Sequence, residues 1–215
     1  MIINILAGGP NDHLPDLSEY QTKEDVWAGV DRGALTLISE GITPNLALGD
    51  FDSVTTKEAE LIEKRSKEIM KYSAEKDETD MQLAIQWALK QTPERIRIFG
   101  ATGGRLDHFF GNIQLLIHSL LSEHDTPIEI MDKNNLIFLK RPGHHPISKH
   151  EAYKYISFIP VSMEIHGLSL KGFKYPLENF YLQAGSTQCI SNELINDNGN
   201  FSFSKGILMV VRSND

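Results

Sequence analysis

Short apolar runs alternate with helical periodicity over the first part of the chain. Ile2–Leu6, Val26–Val30, Leu46–Leu48, Glu68–Tyr72 and Arg95–Phe99 each read as a strand. The stretches between four of these runs carry a helical signature. Ala34, Leu37 and Ile38 share one face, with Gly41 as a stop. Thr55 and Glu58 have the spacing of a capping box for a charged helix over residues 56–65, and Thr79 and Gln82 have it for the next. Met81, Ala84, Ile85, Ala88 and Leu89 then follow the i, i+3, i+4, i+7, i+8 pattern. A long apolar helix carrying Phe109, Phe110, Ile113, Leu116, Ile117, Leu120 and Leu121 closes the series. Strands alternating with helices predict an α/β domain over residues 1–125, with a mostly parallel sheet and helices on both faces.

The period changes after that. Ile128–Met131, Leu136–Leu139, Tyr153–Ile159, Met163–His166, Leu168–Phe173, Asn200–Phe203 and Ile207–Val211 are short strand-like runs separated by turn residues such as Asn134-Asn135, Pro142-Gly143 and Asp197-Asn198-Gly199. Residues 126–215 are therefore expected to form an all-β sandwich domain. The His144-His145 pair falls between two prolines and reads as a solvated loop.

Composition narrows the functional classes. The 215 residues have a formal net charge of -8 and show no basic stripe, which disfavours nucleic acid as a partner. A single cysteine, Cys189, excludes an intrachain disulfide and suits a reducing compartment. The first six residues lack the basic region of a signal peptide, and no apolar run has the length of a membrane span, so a cytoplasmic protein is expected.

The chemistry gathers where predicted strands end. Ala7-Gly8-Gly9-Pro10 follows the first, and its backbone amides can approach a phosphate as readily as they can form a plain turn. It is neither a Walker A loop nor G-x-G-x-x-G. Asp31 closes the second strand. Gly49-Asp50-Phe51-Asp52-Ser53 follows the third, and its paired carboxylates suit a hard divalent cation such as Mg2+, although a polar turn beside a helix start would use the same residues. Asp77, Thr79 and Asp80 bracket a helix start. Gly103-Gly104-Arg105-Leu106-Asp107-His108 offers accessible backbone, a guanidinium fork for phosphate oxygens, and two groups that can move protons. In an open parallel sheet the carboxyl ends of the strands share one edge, where ligands bind. So many carboxylates on one edge repel one another unless a cation bridges them. The pattern points to Mg2+-dependent phosphoryl chemistry, in which the protein positions groups and neutralises charge.

The segments Val30-Asp31-Arg32-Gly33-Ala34, Gly49–Ser53, Asp77–Asp80 and Gly103–His108, with the late Ser191-Asn192-Glu193 and a final strand from Gly206, resemble in matching order the motifs of the thiamine pyrophosphokinase family. The resemblance implies transfer of a pyrophosphoryl group from ATP to the hydroxyl of thiamine, giving thiamine diphosphate and AMP. It also implies an α/β catalytic domain, a β-sandwich that binds thiamine, and a homodimer with the active site at the subunit interface. Carried onto this chain, Asp50, Asp52 and Asp80 would hold Mg2+. Gly8, Gly9, Asp31, Ser53, Thr79, Gly103, Gly104, Arg105 and His108 would surround ATP. Ser191, Asn192 and Asp31 would contact thiamine. Asp107, Asp77 and Arg105 would take part in the chemistry, with Asp107 or Asp77 accepting the hydroxyl proton. Eukaryotic relatives carry a Trp on the last strand to stack on thiamine, whereas Ile207–Val211 has no aromatic residue. Alternatives at the same edge are a pterin-type pyrophosphokinase, a nucleotide hydrolase, or a non-catalytic sensor of thiamine or nucleotide.

Overall fold

The structure is a computed structural model, and it describes residues 1–73, 75–122 and 125–215. It divides into two compact units, Met1–Lys133 and Asn134–Asp215.

The first unit is built on six parallel strands. These are β1 (Ile2–Leu6), β2 (Val26–Val30), β3 (Leu46–Gly49), β4 (Glu68–Lys71), β5 (Arg95–Phe99) and β6 (Ile128–Met131), in the order β4-β3-β2-β1-β5-β6. Four helices connect them: α1 (Arg32–Ser39), α2 (Thr56–Arg65), α3 (Asp80–Lys90) and α4 (Leu106–Leu121). Strand order runs outward from β1 to β4 and then jumps back to β5. Right-handed crossovers therefore put α1 and α2 on one face and α3 and α4 on the other. In keeping with this, α1 packs on α2, and residues of α3 and α4 together line one small cavity. With both faces covered, the central strand buries Ile3, Ile5 and Leu6 completely, in an apolar run interrupted by the buried Asn4, whose Nδ2 donates to the Tyr20 carbonyl at 3.4 Å.

Local chemistry sets the helix starts. Thr55 caps α2 in a full capping box: its hydroxyl accepts the Glu58 amide, and the Glu58 carboxylate accepts the Thr55 amide at 2.7 Å. The Thr79 hydroxyl caps α3 by accepting the Gln82 amide at 3.2 Å. At the other end of α1, Gly41 takes up φ 75° just past the C-cap.

The second unit is antiparallel throughout. One run has the order β7 (Asn135–Lys140), β13 (Leu208–Ser213), β9 (Tyr155–Pro160). The other has the order β11 (Leu177–Gln183), β10 (Glu164–Lys171), β12 (Asn198–Phe203), β8 (Gly143–Ser148). Ile156, Phe158, Leu208 and Val210 from the first and Ile165, Leu168, Leu170, Phe201 and Phe203 from the second form one buried core, the interior of a sandwich.

Several expectations need adjustment. The division falls after Lys133 rather than residue 125, because β6 adds to the parallel sheet beside β5 instead of starting the β unit. The runs expected at Met163–His166 and Leu168–Phe173 are one strand, β10, with register shifts on either side of Leu168 and Gly167 at φ 70°. His144-His145 lies on β8, not in a solvated loop. His145 packs against Phe201 and Phe203, and one ring nitrogen meets the Arg141 carbonyl at 2.9 Å. Cys189 is a buried core residue whose thiol is pushed up by burial. Among the described residues no helix is long and apolar enough to cross a membrane.

Candidate active site

The reversal of strand order puts the turns after β1 and β5 side by side, at the switch point of the sheet. Backbone hydrogen bonds join them: the Ala7 amide donates to Phe99 and the Gly9 amide to Gly100, both at 2.9 Å. A Cβ on Gly9 would lie 2.3 Å from the Gly100 carbonyl oxygen, so this approach requires glycine. Gly8 is exposed here. Gly103 and Gly104 follow in the turn after β5, with the His13 ring over Gly103 and the Thr102 hydroxyl donating to the buried Asp132 carboxylate at 2.6 Å.

The acidic residues cluster on the other side of β1. Asp31 ends β2 at φ 49°, an uncommon conformation for a side-chain-bearing residue, with its amide donating to the Leu48 carbonyl at 2.9 Å. Gly49 leaves room for it, since a Cβ there would sit 1.9 Å from Asp31 Oδ1. The next residues form a tight loop. Phe51, buried among Ala34, Ala47 and Ile62 at φ 58°, anchors it. Asp50 and Asp52 flank the anchor, and Asp50 Oδ1 accepts the Asp52 amide at 3.0 Å. Ser53 is exposed, and its carbonyl faces Arg32 at 3.5 Å. Asp80 opens α3 and is paired at 2.5 Å with Lys76, both side chains being largely buried. Thr79 uses its hydroxyl as the cap, and Asp77 is exposed.

Electrostatics show that these carboxylates share a neighbourhood. Burial, then the charges of Asp80 and Asp50, push the Asp31 carboxyl up to about 6, against a pull from the Phe51 amide; Asp52 adds to the rise. Asp31 Oδ1 is buried without a hydrogen-bond partner. An orphaned carboxylate oxygen amid oxygen-only donors fits a hard cation such as Mg2+. At the same time, among the described residues no three His, Cys, Asp or Glu side chains are already arranged as a metal cage. Lys76 provides the positive charge at Asp80.

Arg105 and Asp107 form a separate pair, away from this cluster in their bonding. The guanidinium holds the Asp107 carboxylate through two hydrogen bonds, the shorter at 2.5 Å, and with the His108 amide keeps its pKa down at about 2. Arg105, Asp107 and His108 are all exposed at the start of α4.

Ser191 and Asn192 lie in the second unit. Asn192 is buried and structural: its Oδ1 accepts the amides of Tyr175 and Glu193, and its Nδ2 donates to the Tyr175 carbonyl at 2.8 Å. Ser191, at φ 57°, is held by its amide donating to Ser157 Oγ at 2.9 Å, and it is exposed. Sequence reasoning assigned no role to Lys76 or His13. The i,i+4 spacing to Asp80 was a usable signal for Lys76. His13 reaches Gly103 through tertiary structure alone.

An open parallel sheet with a glycine-lined switch point and an acidic carboxyl edge, with an antiparallel sandwich in the same chain, defines an α/β protein that offers a ligand site at its strand ends. Residues 17–130 match the family model "Thiamin pyrophosphokinase, catalytic domain", and residues 144–208 match "Thiamin pyrophosphokinase, vitamin B1 binding domain". The chain is 52% identical to the thiamine pyrophosphokinase of Bacillus subtilis over 213 residues, 99% of each chain. It superposes on the crystal structure of thiamine pyrophosphokinase from Bacillus subtilis with a TM-score of 0.94 at 51% identity, covering 100% of both chains. For thiamin pyrophosphokinase from Geobacillus thermodenitrificans the TM-score is 0.92 at 47% identity, covering 100% of this chain and 98% of that one. The chain belongs to the thiamine pyrophosphokinase family.

Proposed function

We propose that the chain transfers a pyrophosphoryl group from ATP to the hydroxyl of thiamine, giving thiamine diphosphate and AMP. The observation that carries this beyond family membership is the cluster of Asp31, Asp50, Asp52 and Asp80, with the raised Asp31 carboxyl whose Oδ1 is buried without a hydrogen-bond partner. Four carboxylates in one neighbourhood, with Lys76 offsetting Asp80, suit a site that works with a bound cation. Asp50, Asp52 and Asp80 would hold Mg2+, with Lys76 giving up Asp80. Bound there, Mg2+ supplies charge neutralisation to the polyphosphate.

The chain's own residues do the positioning. Gly8, Gly9, Gly103 and Gly104 bring backbone to the ATP phosphates. Ser53, Thr79 and His108 lie beside them, and Arg105, which keeps Asp107 through Nε and Nη2, offers the other edge of its guanidinium to the transferring group. The thiamine hydroxyl attacks the β-phosphorus in line, and AMP departs. Asp77 is the better acceptor for the hydroxyl proton, because Asp107 is held too acidic by Arg105 to serve as a base. Ser191 contacts the aminopyrimidine while Asn192 fixes its turn, and Asp31 lies between the nucleotide and the vitamin. We further propose a cytoplasmic homodimer whose subunit interface holds the active site.

Incubation with ATP, Mg2+ and thiamine, followed by product mass, tests the reaction. The expected products are thiamine diphosphate and AMP; AMP release without thiamine, or no turnover, refutes it. Asp50→Asn should cost at least about 100-fold in Mg2+-dependent turnover while circular dichroism stays unchanged. Full activity in that variant removes the metal assignment.

A further inference from the structure

The second unit contains a cavity of about 320 Å³ that the reaction above does not use. Lys149, His150, Tyr153, Lys154, Glu193 and Arg212 are among its lining residues, and none of them is assigned to Mg2+, ATP or thiamine. Arg212 is the unusual member. It lies on β13 in the row that carries Leu208 and Val210 into the core, and only 8% of it is exposed. Its Nη2 donates to the Ser148 carbonyl at 2.6 Å, while its Nε–H is buried without a partner. Among the described residues no carboxylate pairs with it. Of the two acids in the lining, Glu193 is occupied by Lys174 at 2.9 Å and Lys154 at 3.7 Å, and Glu151 is exposed to solvent. A buried guanidinium with no counter-charge is costly, and its planar fork is shaped for oxyanions.

The neighbouring groups add to this. Lys149 reaches only to within 4.0 Å of Asp197, so its ammonium is weakly committed. His150 Nδ1 accepts the Ala152 amide hydrogen at 3.2 Å, which leaves the ring proton on Nε2 as a donor. Burial and then the Arg212 charge hold this imidazole below its usual pKa, against the opposing charge of Glu151. We propose that this cavity binds a phosphate group, with the Arg212 fork as its main partner and Lys149 and His150 as further donors. Donors of three kinds around one cavity suit a tetrahedral dianion with oxygens in several directions better than a planar carboxylate. The cavity is also large enough for a phosphate that carries an organic group.

The test uses the full-length 15N-labelled protein, titrated with inorganic phosphate, with AMP and, at matched ionic strength, with sodium chloride. Amide shifts of residues 149–154 are the readout, which separates this cavity from phosphate bound at Gly103 or Gly104. Saturable shifts with phosphate or AMP, absent with chloride, are expected. Arg212→Gln should weaken binding roughly tenfold or more, as loss of a charged hydrogen-bonding partner does. Should that variant fail to fold, Lys149→Gln on the surface should weaken it roughly threefold. Tighter binding of AMP than of inorganic phosphate identifies an organic phosphate as the occupant; equal affinity identifies the free ion. Non-saturating shifts, equal shifts with chloride, or wild-type affinity in the folded variants overturn the proposal.

Discussion

Gly49→Ala is the sharpest probe of the acidic edge. The new methyl would sit 1.9 Å from Asp31 Oδ1 and 2.8 Å from its Cγ, whereas real Cβ atoms essentially never come closer than 3.0 Å. Asp31 must therefore move by about 1 Å, and a misplacement of that size at a reacting centre costs on the order of 100-fold in rate. The Asp31 amide is tied to Leu48, so the carboxylate itself must give way. Backbone strain adds to this, because Gly49 has φ 149°; about 1–3 kcal/mol is expected. For a chain of this size that lowers the melting temperature by roughly 2–12 °C. Gly41→Ala is the control: Gly41 has φ 75° but nothing within 4 Å of a new Cβ. It should lose comparable stability and keep full turnover. Steady-state kinetics and thermal melts of the two variants side by side decide the matter. If Gly49→Ala turns over as fast as Gly41→Ala, the position of Asp31 is immaterial and the account of this edge fails.

Three more predictions concern the same charges. Lys76→Met should lower the Mg2+ concentration for half-maximal turnover roughly threefold to tenfold, by removing the cation now on Asp80; an unchanged Mg2+ titration refutes competition between the two. Asp31→Asn should stabilise the metal-free protein. The folded carboxyl titrates at about 6 against a usual 3.8, so the folded state holds the proton more tightly, and its stability falls as pH rises through 6. The variant should therefore gain about 1–2 kcal/mol at pH 8 and lose that gain towards pH 4, read from denaturant midpoints in EDTA. A gain that does not shrink with falling pH refutes the raised pKa. Asp107 behaves oppositely: its depressed pKa makes the pairing with Arg105 complete above 3.8 and lost only as pH falls through about 2. Asp107→Asn should thus leave the shape of the pH–rate profile unchanged over roughly pH 5–9, and a shifted acid limb would restore it as the base.

The elements of the first unit were legible because their periods are clean and their caps are local. Thr55 with Glu58, and Thr79 with Gln82, mark helix starts that the structure reproduces. Two strands of the sandwich were hidden. In β8, Pro146 and adjacent histidines, with Pro142 just ahead of the strand, mask a strand whose inward residues include His145. In β11, bulged pairing with β10 breaks the alternation, and only Leu182 is fully buried. The parallel pairing of β6 with β5 is long-range, so no local pattern could assign Ile128–Met131 to the first unit. For the site, residue types and strand ends brought the carboxylates together on paper. Lys76 on Asp80 left only its i,i+4 spacing as a signal, while the strained Asp31 backbone and the occupied side chain of Asn192 depend on three-dimensional neighbours and left no readable trace.

The switch point between β1 and β5 also bears on how this molecule can be explored experimentally. There the two turns are joined through Ala7, Gly9, Phe99 and Gly100 by main-chain atoms alone. A scan that truncates side chains has nothing to remove at Gly8, Gly9, Gly100, Gly103 or Gly104, and would score this crevice as silent. At Gly9 the informative substitution is one that adds atoms, since a single methyl there meets the Gly100 carbonyl. Tolerance maps of this chain should therefore show Gly9, Gly100 and Gly103 refusing a side chain, while Gly8 and Gly104 have room for a methyl, beside acidic positions that accept few substitutions; the two kinds of intolerance report different physics: excluded volume in the first and placed charge in the second.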